Sequence, residues 1–162
     1  MSKLKSFRDL RVYQELKRLH LEVHNESLKF PKFEMYELGS QIPRSSNSAP
    51  AMLAEGWGSR HTNIYMESVN RAMGEVRETL HHLEVAKSKG YLPDEAFQKL
   101  EESYSECYGM LENLYQSLSR WRDSKRTGNA VQENAPNYQV TPADEDWQSA
   151  VEITFKALGG KR

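Results

Sequence analysis

The sequence predicts an all-α fold, an antiparallel up-and-down four-helix bundle with a C-terminal extension. Apolar residues recur at spacings of three and four residues over four long segments. The connections between these segments are short and carry proline or glycine, and no long stretch alternates apolar and polar residues as a half-buried strand does. The 162 residues are enough for one domain with a core and too few for two.

The composition narrows the classes of function. The formal net charge is −1, whereas general nucleic-acid binders usually carry an excess of Lys and Arg. No window approaches the length of apolar chain that spans a membrane, and the N-terminus lacks the apolar region of a secretory signal, so we expect a cytoplasmic protein. Cys107 is the only cysteine, which excludes an internal disulfide and predicts a residue that fills the core.

The first two helices are expected over Phe7 to Phe30 and over about Met35 to Glu55. Pro31 stops the first pattern, and Gly56-Trp57-Gly58 stops the second. The apolar positions of the first are Leu10, Tyr13, Leu16, Leu19, Leu21, Val23 and Leu28. The stripe of the second is less regular and contains Leu38, Ile42, Ser45 or Ser46, Ala49, Leu53 and Ala54.

The third and fourth helices have the clearest periodicity. Ser59 or Thr62 is expected to cap the third helix, which continues to Gly90. Pro93 is expected at the first position of the fourth helix, which ends near Arg122 to Arg126.

The remainder of the chain differs in kind, so we predict a bundle over residues 1–126 and an extension over residues 127–162. Thr127 to Tyr138 is rich in Gly, Asn, Gln and Pro, as a linker is. Beyond the linker, Thr141-Pro142-Ala143-Asp144 has the form of a helix start. The apolar stripe that follows contains Trp147, Val151, Thr154 or Phe155, and Leu158.

The alternation of Val151, Ile153 and Phe155 is also compatible with a strand. A short element of either kind buries little apolar surface alone. We therefore expect Trp147, Val151, Phe155 and Leu158 to dock on a partner surface, or the extension to be partly disordered.

Candidate metal-binding and catalytic patterns are weak. His20 and His24 lie four residues apart, and Glu78 with His81 forms the Glu-x-x-His spacing of metal sites in bundles. Most glutamates that a dimetal site needs on the other helices lie among surface charges, so we expect no metal and no cofactor. The serines at 45, 46 and 48 lack the G-x-S-x-G motif, and Gly56 to Ser59 lacks the lysine of a phosphate-binding loop. The sequence therefore predicts no enzyme.

Two basic clusters are candidate RNA-binding patches. One lies near the N-terminus and contains Lys3, Lys5, Arg8 and Arg11. The other lies near the end of the fourth helix, where the candidate RNA contacts are Arg120, Trp121, Arg122, Lys125 and Arg126. The cations can bind phosphate and the indole can stack on a base. The alternative is a solvated helix end whose cations interact favourably with the helix dipole.

Several motifs occur in a specific order along the chain. They are Phe7-Arg8-Asp9-Leu10 with Val12-Tyr13, Phe30-Pro31 with Glu34 and Leu38, Gln41-Ile42 to Ala54-Glu55-Gly56, and Ala86-Lys87 with Gly90-Tyr91-Leu92. From about Phe7 to Leu118 the chain resembles the family of four-helix bundle proteins encoded in intervening sequences of bacterial 23S rRNA genes.

The second helix carries the most specific part of the resemblance. The family pattern QIRRAAxSIPANIAEG aligns with Gln41 to Gly56 without a gap. Pro43 stands where the family has arginine, and Met52 stands where it has asparagine. The matching residues are Arg44, Ser48, Pro50, Ala54, Glu55 and Gly56 on the second helix, and Gly74 and Glu78 of a GSLxE element on the third.

The resemblance implies a bundle that assembles into ring-shaped homo-oligomers, typically pentamers, without established enzymatic activity and with a conjectured association with ribosomal RNA or ribosomes. Prolines bend a helix and small residues allow close approach, so we hypothesise that the second helix lies at a subunit interface or lines a central opening. The residues assigned to that surface are Gln41, Arg44, Ser48, Pro50, Glu55 and Glu78. Alternatively, Pro43 and Pro50 only bend the helix around its own bundle.

A second class of function remains open. The chain can be an adaptor or accessory protein whose segment from Trp147 to Leu158 docks on its own ring or on another protein.

Overall fold

The computed structural model describes the backbone of residues 5–132 and the side chains of residues 5–125. The chain forms α1 (Arg11–Ser27), α2 (Leu38–Gly56), α3 (Thr62–Ser88) and α4 (Asp94–Gln132), with 3-10 turns at Phe7–Asp9 and Lys32–Tyr36. The described residues contain no strand, and the helices pack against each other, which confirms the predicted all-α bundle. The docking segment from Trp147 to Leu158 lies outside these residues.

Neighbouring helices are antiparallel. Along α2 from Ser45 to Gly56, the adjacent residues of α3 run backwards from Thr79 to Ser68. An ion pair of 2.6 Å between Lys99 Nζ and Glu22 Oε1 joins α4 to α1 and closes the bundle. The N-terminus of α1 therefore lies at the same end as the C-terminus of α4.

The core is a single cluster with contributions from all four helices. Its fully buried side chains include Leu16, Ile42, Val69 and Leu111, and Cys107 is buried among them as expected. Leu21 and Leu28 were wrongly placed in the apolar stripe of the first helix, since they are 54% and 71% exposed. Their positions fit the spacing only loosely, and the face of α1 that lies away from the core remains available to solvent in a bundle.

The prolines of α2 lie inside the helix, seven residues apart and therefore on one face. Each removes one backbone hydrogen bond, to the carbonyl of Gly39 or of Ser46. Pro50 is buried within the chain and Pro43 is partly buried. Because the Pro50 ring is buried within the single chain, it is not available to line an opening.

Helix boundaries differ from expectation at several places. The first helix spans Arg11–Ser27 and not Phe7 to Phe30, because Phe7–Asp9 forms a separate 3-10 turn. The 3-10 turn Lys32–Tyr36 delays α2 until Leu38, and α4 begins at Asp94, after Pro93. The end of α4 was placed too early, because the helix continues to Gln132 through the first part of the expected linker. A single glycine such as Gly128 costs a helix only about 1 kcal/mol, and the next proline is Pro136.

The ends of α3 illustrate which capping signals the sequence carries reliably. The N-cap is His61, without a side-chain cap bond, and not Ser59 or Thr62. At the other end Gly90 has φ +76° and forms a Schellman motif, in which Gly90 N donates to Lys87 O and Tyr91 N donates to Ala86 O. The glycine stop was predictable because that backbone conformation favours glycine, whereas an N-cap has several acceptable solutions.

The connection from α1 to α2 is fixed to the C-terminus of α3 by a buried carboxylate. The side chain of Glu34 is 4% exposed, and its Oε1 lies 2.7 Å from Lys89 Nζ. The hydrogen bond from Lys89 holds the pKa of Glu34 below its ordinary value, against the effect of burial. Phe30 packs on Tyr91 with ring centroids 5.7 Å apart and reinforces the same junction.

Replacing Gly56 by alanine should destabilise the bundle. A Cβ at this position would lie 2.6 Å from Ser68 Cβ and 2.7 Å from Tyr65 Cδ2, so α3 would have to move. We expect a loss of about 1–3 kcal/mol in the free energy of unfolding, measured by urea denaturation. Gly74→Ala is the matched control, because no atom lies within 4 Å of its Cβ position. The control should gain up to about 1 kcal/mol from helix propensity, and equal effects at both positions would contradict this account of the α2–α3 contact.

The Glu34–Lys89 pair should make stability depend on pH in the acid range. Since the pKa of Glu34 is lower in the folded chain than its ordinary 4.5, its contribution is complete above pH 4.5 and is lost as the pH falls through the folded value. Glu34→Gln should lower the melting temperature at pH 7. The melting temperature of this variant should also change less as the pH falls into the acid range. Glu26→Gln, at an exposed pair with Lys29, should leave both nearly unchanged. If the melting temperature of Glu34→Gln falls with decreasing pH as steeply as that of the original protein, the Glu34–Lys89 pair is not the source of the acid dependence.

Candidate functional site: the basic end of the bundle

Antiparallel packing brings the two basic clusters of the sequence to one end of the molecule. The turn Phe7–Asp9 and the start of α1 lie beside the end of α2, and Arg122 of α4 reaches Asn63 at the start of α3 over 3.5 Å. Arg60, in the α2–α3 connection, lies at the same end. We call this region the basic end, and its described cations are Lys5, Arg8, Arg11, Arg60, Arg120, Arg122 and Lys125.

The carboxylates of this region are partly engaged. Asp9 Oδ2 accepts hydrogen bonds from the backbone N–H groups of Lys5 and Ser6, and Asp123 Oδ1 pairs with Arg122 Nε at 3.0 Å. Glu55, in the last turn of α2, and Glu67, near the start of α3, are exposed. The cations outnumber these carboxylates, so the end carries a local positive charge that the total of −1 does not reveal.

The predicted RNA contacts of α4 differ in how available they are. Arg120 is exposed, and a 3.4 Å hydrogen bond to the uncharged Ser117 Oγ leaves its charge unneutralised. Arg122 is partly buried and held by Asp123, Ser119 and Asn63. This arginine therefore orders the end of the bundle more than it presents charge.

Trp121 is less free to stack than the sequence suggests. Its ring packs partly against the core, and Lys125 Nζ lies 5.7 Å from the ring centroid. A base could stack there only by displacing Lys125. The backbone of Arg126 is helical, but its side chain lies outside the description.

The first helix adds a feature that the sequence analysis missed. An open cleft of about 400 Å³ lies along α1 and is lined by Arg8, Tyr13, Gln14, Lys17, Arg18 and Leu21. Gln14 Nε2 donates to the carbonyl of Arg8 and holds the preceding turn against the helix. Glu15 and Glu22 pair with Arg18 and raise its pKa, so Arg8 and Lys17 are the cations that the cleft offers to a ligand. The spacing of the other lining residues, Tyr13 to Leu21, on one face of α1 is the signal that could have found this cleft.

The face proposed for self-association is also assembled by the fold. Gln41, Arg44 and Glu55 are exposed on one stripe of α2, and Ser48 on the same stripe donates its hydroxyl to the carbonyl of Arg44. Arg44 and Glu55 lie three turns apart, about 16 Å along the helix, so they do not pair within one chain.

Glutamates of α3 border the same stripe. Burial raises the pKa of Glu75, Glu78 raises it further, and the charges of Arg44 and Arg71 oppose this shift. Glu78 is exposed and its Oε1 lies 3.5 Å from Nε2 of His82, not of His81. We call the surface formed by Gln41, Arg44, Ser48, Glu55 and Glu78 the α2 face.

Two pairs of polar side chains form hydrogen bonds between helices in the interior. Thr79 Oγ1 donates to Ser45 Oγ at 3.0 Å, and His20 Nδ1 lies 2.9 Å from Ser46 Oγ. Burial lowers the pKa of His20, and neighbouring His24 lowers it further. Burial also raises the pKa of the Cys107 thiol to about 12, so the thiolate form required of a nucleophile is negligible near neutral pH. These groups connect helices and have the chemistry of packing residues.

The described part of the chain contains no group of three or more His, Cys, Asp or Glu side chains that could hold a metal ion. His20 and His24 lie close, with ring centroids 6.2 Å apart, but Ser46 already occupies one nitrogen of His20. None of the helices in residues 5–132 combines the length and apolar character needed to cross a membrane.

Comparison with known proteins adds one positive result. No curated protein matches the chain. The model of the family described as 23S rRNA-intervening sequence protein matches residues 8–113, which cover both the motifs of α2 and the four helices up to the middle of α4. The match includes well over half of the sequence, and the chain therefore belongs to the 23S rRNA-intervening sequence protein family.

Proposed function

We propose that this protein is a non-catalytic bundle that associates with itself and binds RNA, with ribosomal RNA or the ribosome as its target, through the basic end. The single observation that supports this best is the convergence of Arg8, Arg120 and Lys125 at one end of a chain whose total charge is nearly neutral. Phosphate contacts supply most of the affinity of a protein for RNA without sequence specificity. The family's name gives the gene context and not an activity of this chain.

Self-association into a ring, with five copies as the expected number, is the second part of the proposal. The α2 face presents both signs of charge in Arg44, Glu55 and Glu78 on one exposed surface. Opposite charges that lie too far apart to pair within one chain can pair across a subunit boundary. Pro50 does not belong to this contact, since its ring is buried in its own bundle.

A non-catalytic, cytoplasmic role without cofactor completes the proposal. The hydroxyls of Ser45 and Thr79 are engaged in a bond between helices, and the Cys107 thiol stays protonated. These properties favour a structural role for the buried polar groups over a role as catalytic nucleophiles.

Neutralising the basic end should weaken RNA binding and its dependence on salt. The combined variant Arg8→Gln, Arg120→Gln and Lys125→Gln removes three exposed cations. The slope of log K against log salt concentration should fall by about 2 if these cations contact phosphates of single-stranded RNA. Binding of ribosomal RNA is measured by fluorescence anisotropy at several salt concentrations.

The control is Lys29→Gln with Lys99→Gln, two exposed cations towards the opposite end of the bundle. It should keep the slope of the original protein. Equal slopes for both variants, or no RNA binding by the original protein at physiological salt, would contradict the RNA-binding proposal. Trp147→Ser with Phe155→Ser should leave RNA binding intact, whereas an adaptor would lose a protein partner in that variant.

Reversing a charge on the α2 face should reduce the size of the oligomer. Arg44→Glu places a third negative charge beside Glu75 and Glu78, and we expect a lower molar mass in light scattering coupled to size exclusion. Arg77→Glu is the control, because the Arg77 guanidinium lies over the Tyr108 ring of α4 and so on another side of α3. If Arg44→Glu keeps the mass of the original protein, the α2 face is not the contact.

A further inference from the structure

The end of the bundle opposite to the basic end carries an exposed apolar surface. Phe33, Met35 and Tyr36 occupy a single 3-10 turn, Lys32–Tyr36, and are 71%, 56% and 86% exposed. Leu28, at the end of α1, is 71% exposed and precedes this turn by only a few residues. We call these four residues the apolar cap. A concentrated exposed apolar surface in a soluble protein indicates a contact with another molecule.

The cap is held in place by the fold. Glu34, in the middle of the same turn, is buried and paired with Lys89, and its backbone N–H donates to the Pro31 carbonyl at 2.9 Å. The Phe33 ring meets the Tyr91 ring with centroids 6.5 Å apart. With Glu34 anchored below, its neighbours Phe33, Met35 and Tyr36 are directed to solvent. The surface is therefore preformed, which lowers the entropic cost of a contact.

The apolar C-terminal segment of the same chain is poorly placed to cover the cap. The cap lies beside Tyr91, just before α4 begins, whereas the segment follows the far end of α4 at Gln132. A helix of 39 residues is about 58 Å long. The 15 residues from Gln132 to Trp147 reach at most about 50–54 Å when fully extended. As a flexible chain they would average only about 20 Å.

Two observations favour a second copy of the chain as the occupant. The first is the area that the contact would bury. The exposed parts of two aromatic rings, a leucine and a methionine amount to roughly 500 Å² per copy, or roughly 1,000 Å² for a pair. This total is about the minimum for a specific interface. The second is charge. Lys32 is the first residue of the turn, Glu37 directly follows its last residue, and both are exposed. When the turn meets its own copy in the opposite direction, Lys32 of each copy faces Glu37 of the other.

We propose that the apolar cap is a twofold contact between two copies of this chain, packed cap to cap. The aromatic rings and Met35 form its centre, and the pairs between Lys32 and Glu37 form its rim. This contact is separate from the α2 face and does not depend on it. If the α2 face builds a ring, the caps of all copies lie on one surface of that ring and join it to a second ring. The basic ends then lie on the two outer surfaces of the pair of rings.

The first test measures molar mass. Phe33→Ser with Tyr36→Ser in the full chain should halve the mass found by light scattering, whether the cap joins two rings or two single chains. Ile64→Ser is the matched control, because Ile64 is 51% exposed near the basic end, and it should keep the mass of the original protein. Melting temperatures establish that each variant is folded. An unchanged mass in the folded cap variant would overturn the proposal.

A second test does not weaken the cap. Met35→Cys should form a disulfide between two chains on mild oxidation, because Met35 lies next to the twofold axis when Lys32 of one copy faces Glu37 of the other. Ile64→Cys should not form one, and the buried Cys107 should not react in either variant. Lys32→Glu should lower the mass, and adding Glu37→Lys should restore it. The absence of a linked pair in Met35→Cys, or a halved mass in Trp147→Ser with Phe155→Ser, would overturn cap-to-cap packing. Loss of ring formation in Arg44→Glu with retention of the Met35→Cys link would affect only the α2 face.

Discussion

The close approach of α2 and α3 is the constraint on which the rest of the bundle depends. These two helices share the most extensive contact in the described chain, and small side chains make it possible. At Gly56 even a single methyl group would overlap Ser68 and Tyr65. Further along, Ser45 meets Thr79 through a hydrogen bond of 3.0 Å. A helix with large residues on this face would be displaced outward, and α1 and α4, which pack on either side, would lose their positions.

The same close face explains why polar residues are acceptable in the interior. Serine and threonine on α2 and α3 donate to backbone carbonyls of their own helix or to each other, so their hydroxyls are buried without loss of hydrogen bonds. His20 joins α1 to this network through Ser46. Small polar residues therefore give both short interhelical distances and a fixed register.

Antiparallel packing also gives the two ends of the bundle different chemistry. One end collects cations from the start of α1, the α2–α3 connection and the end of α4, among them Arg8, Arg60 and Arg120. The other end exposes Phe33 and Tyr36 above the buried Glu34–Lys89 pair. A molecule with distinct ends and a charged side face has separate surfaces for the proposed RNA binding and for the two proposed contacts between copies. Self-association and RNA binding need not compete under this arrangement.

The sequence by itself determined the four helices, because their apolar positions recur at the helical period, and it determined the stop at Gly90, because a positive φ favours glycine. It also determined the family, through the motifs of α2 and their order. It could not determine that α4 continues past Arg126, since residues that form linkers are also tolerated in a helix.

Only the tertiary structure decided what depends on distances between helices. Lys5 and Arg120 are far apart along the chain and lie at one end because neighbouring helices are antiparallel. Pro50 matches a motif that suggested an interface, yet it faces its own core. Leu28 and Phe33 are apolar in the sequence, and their exposure follows from the anchored turn that separates α1 from α2. Periodicity records which residues share a helical face, whereas the partner of each face is set by how the whole chain packs.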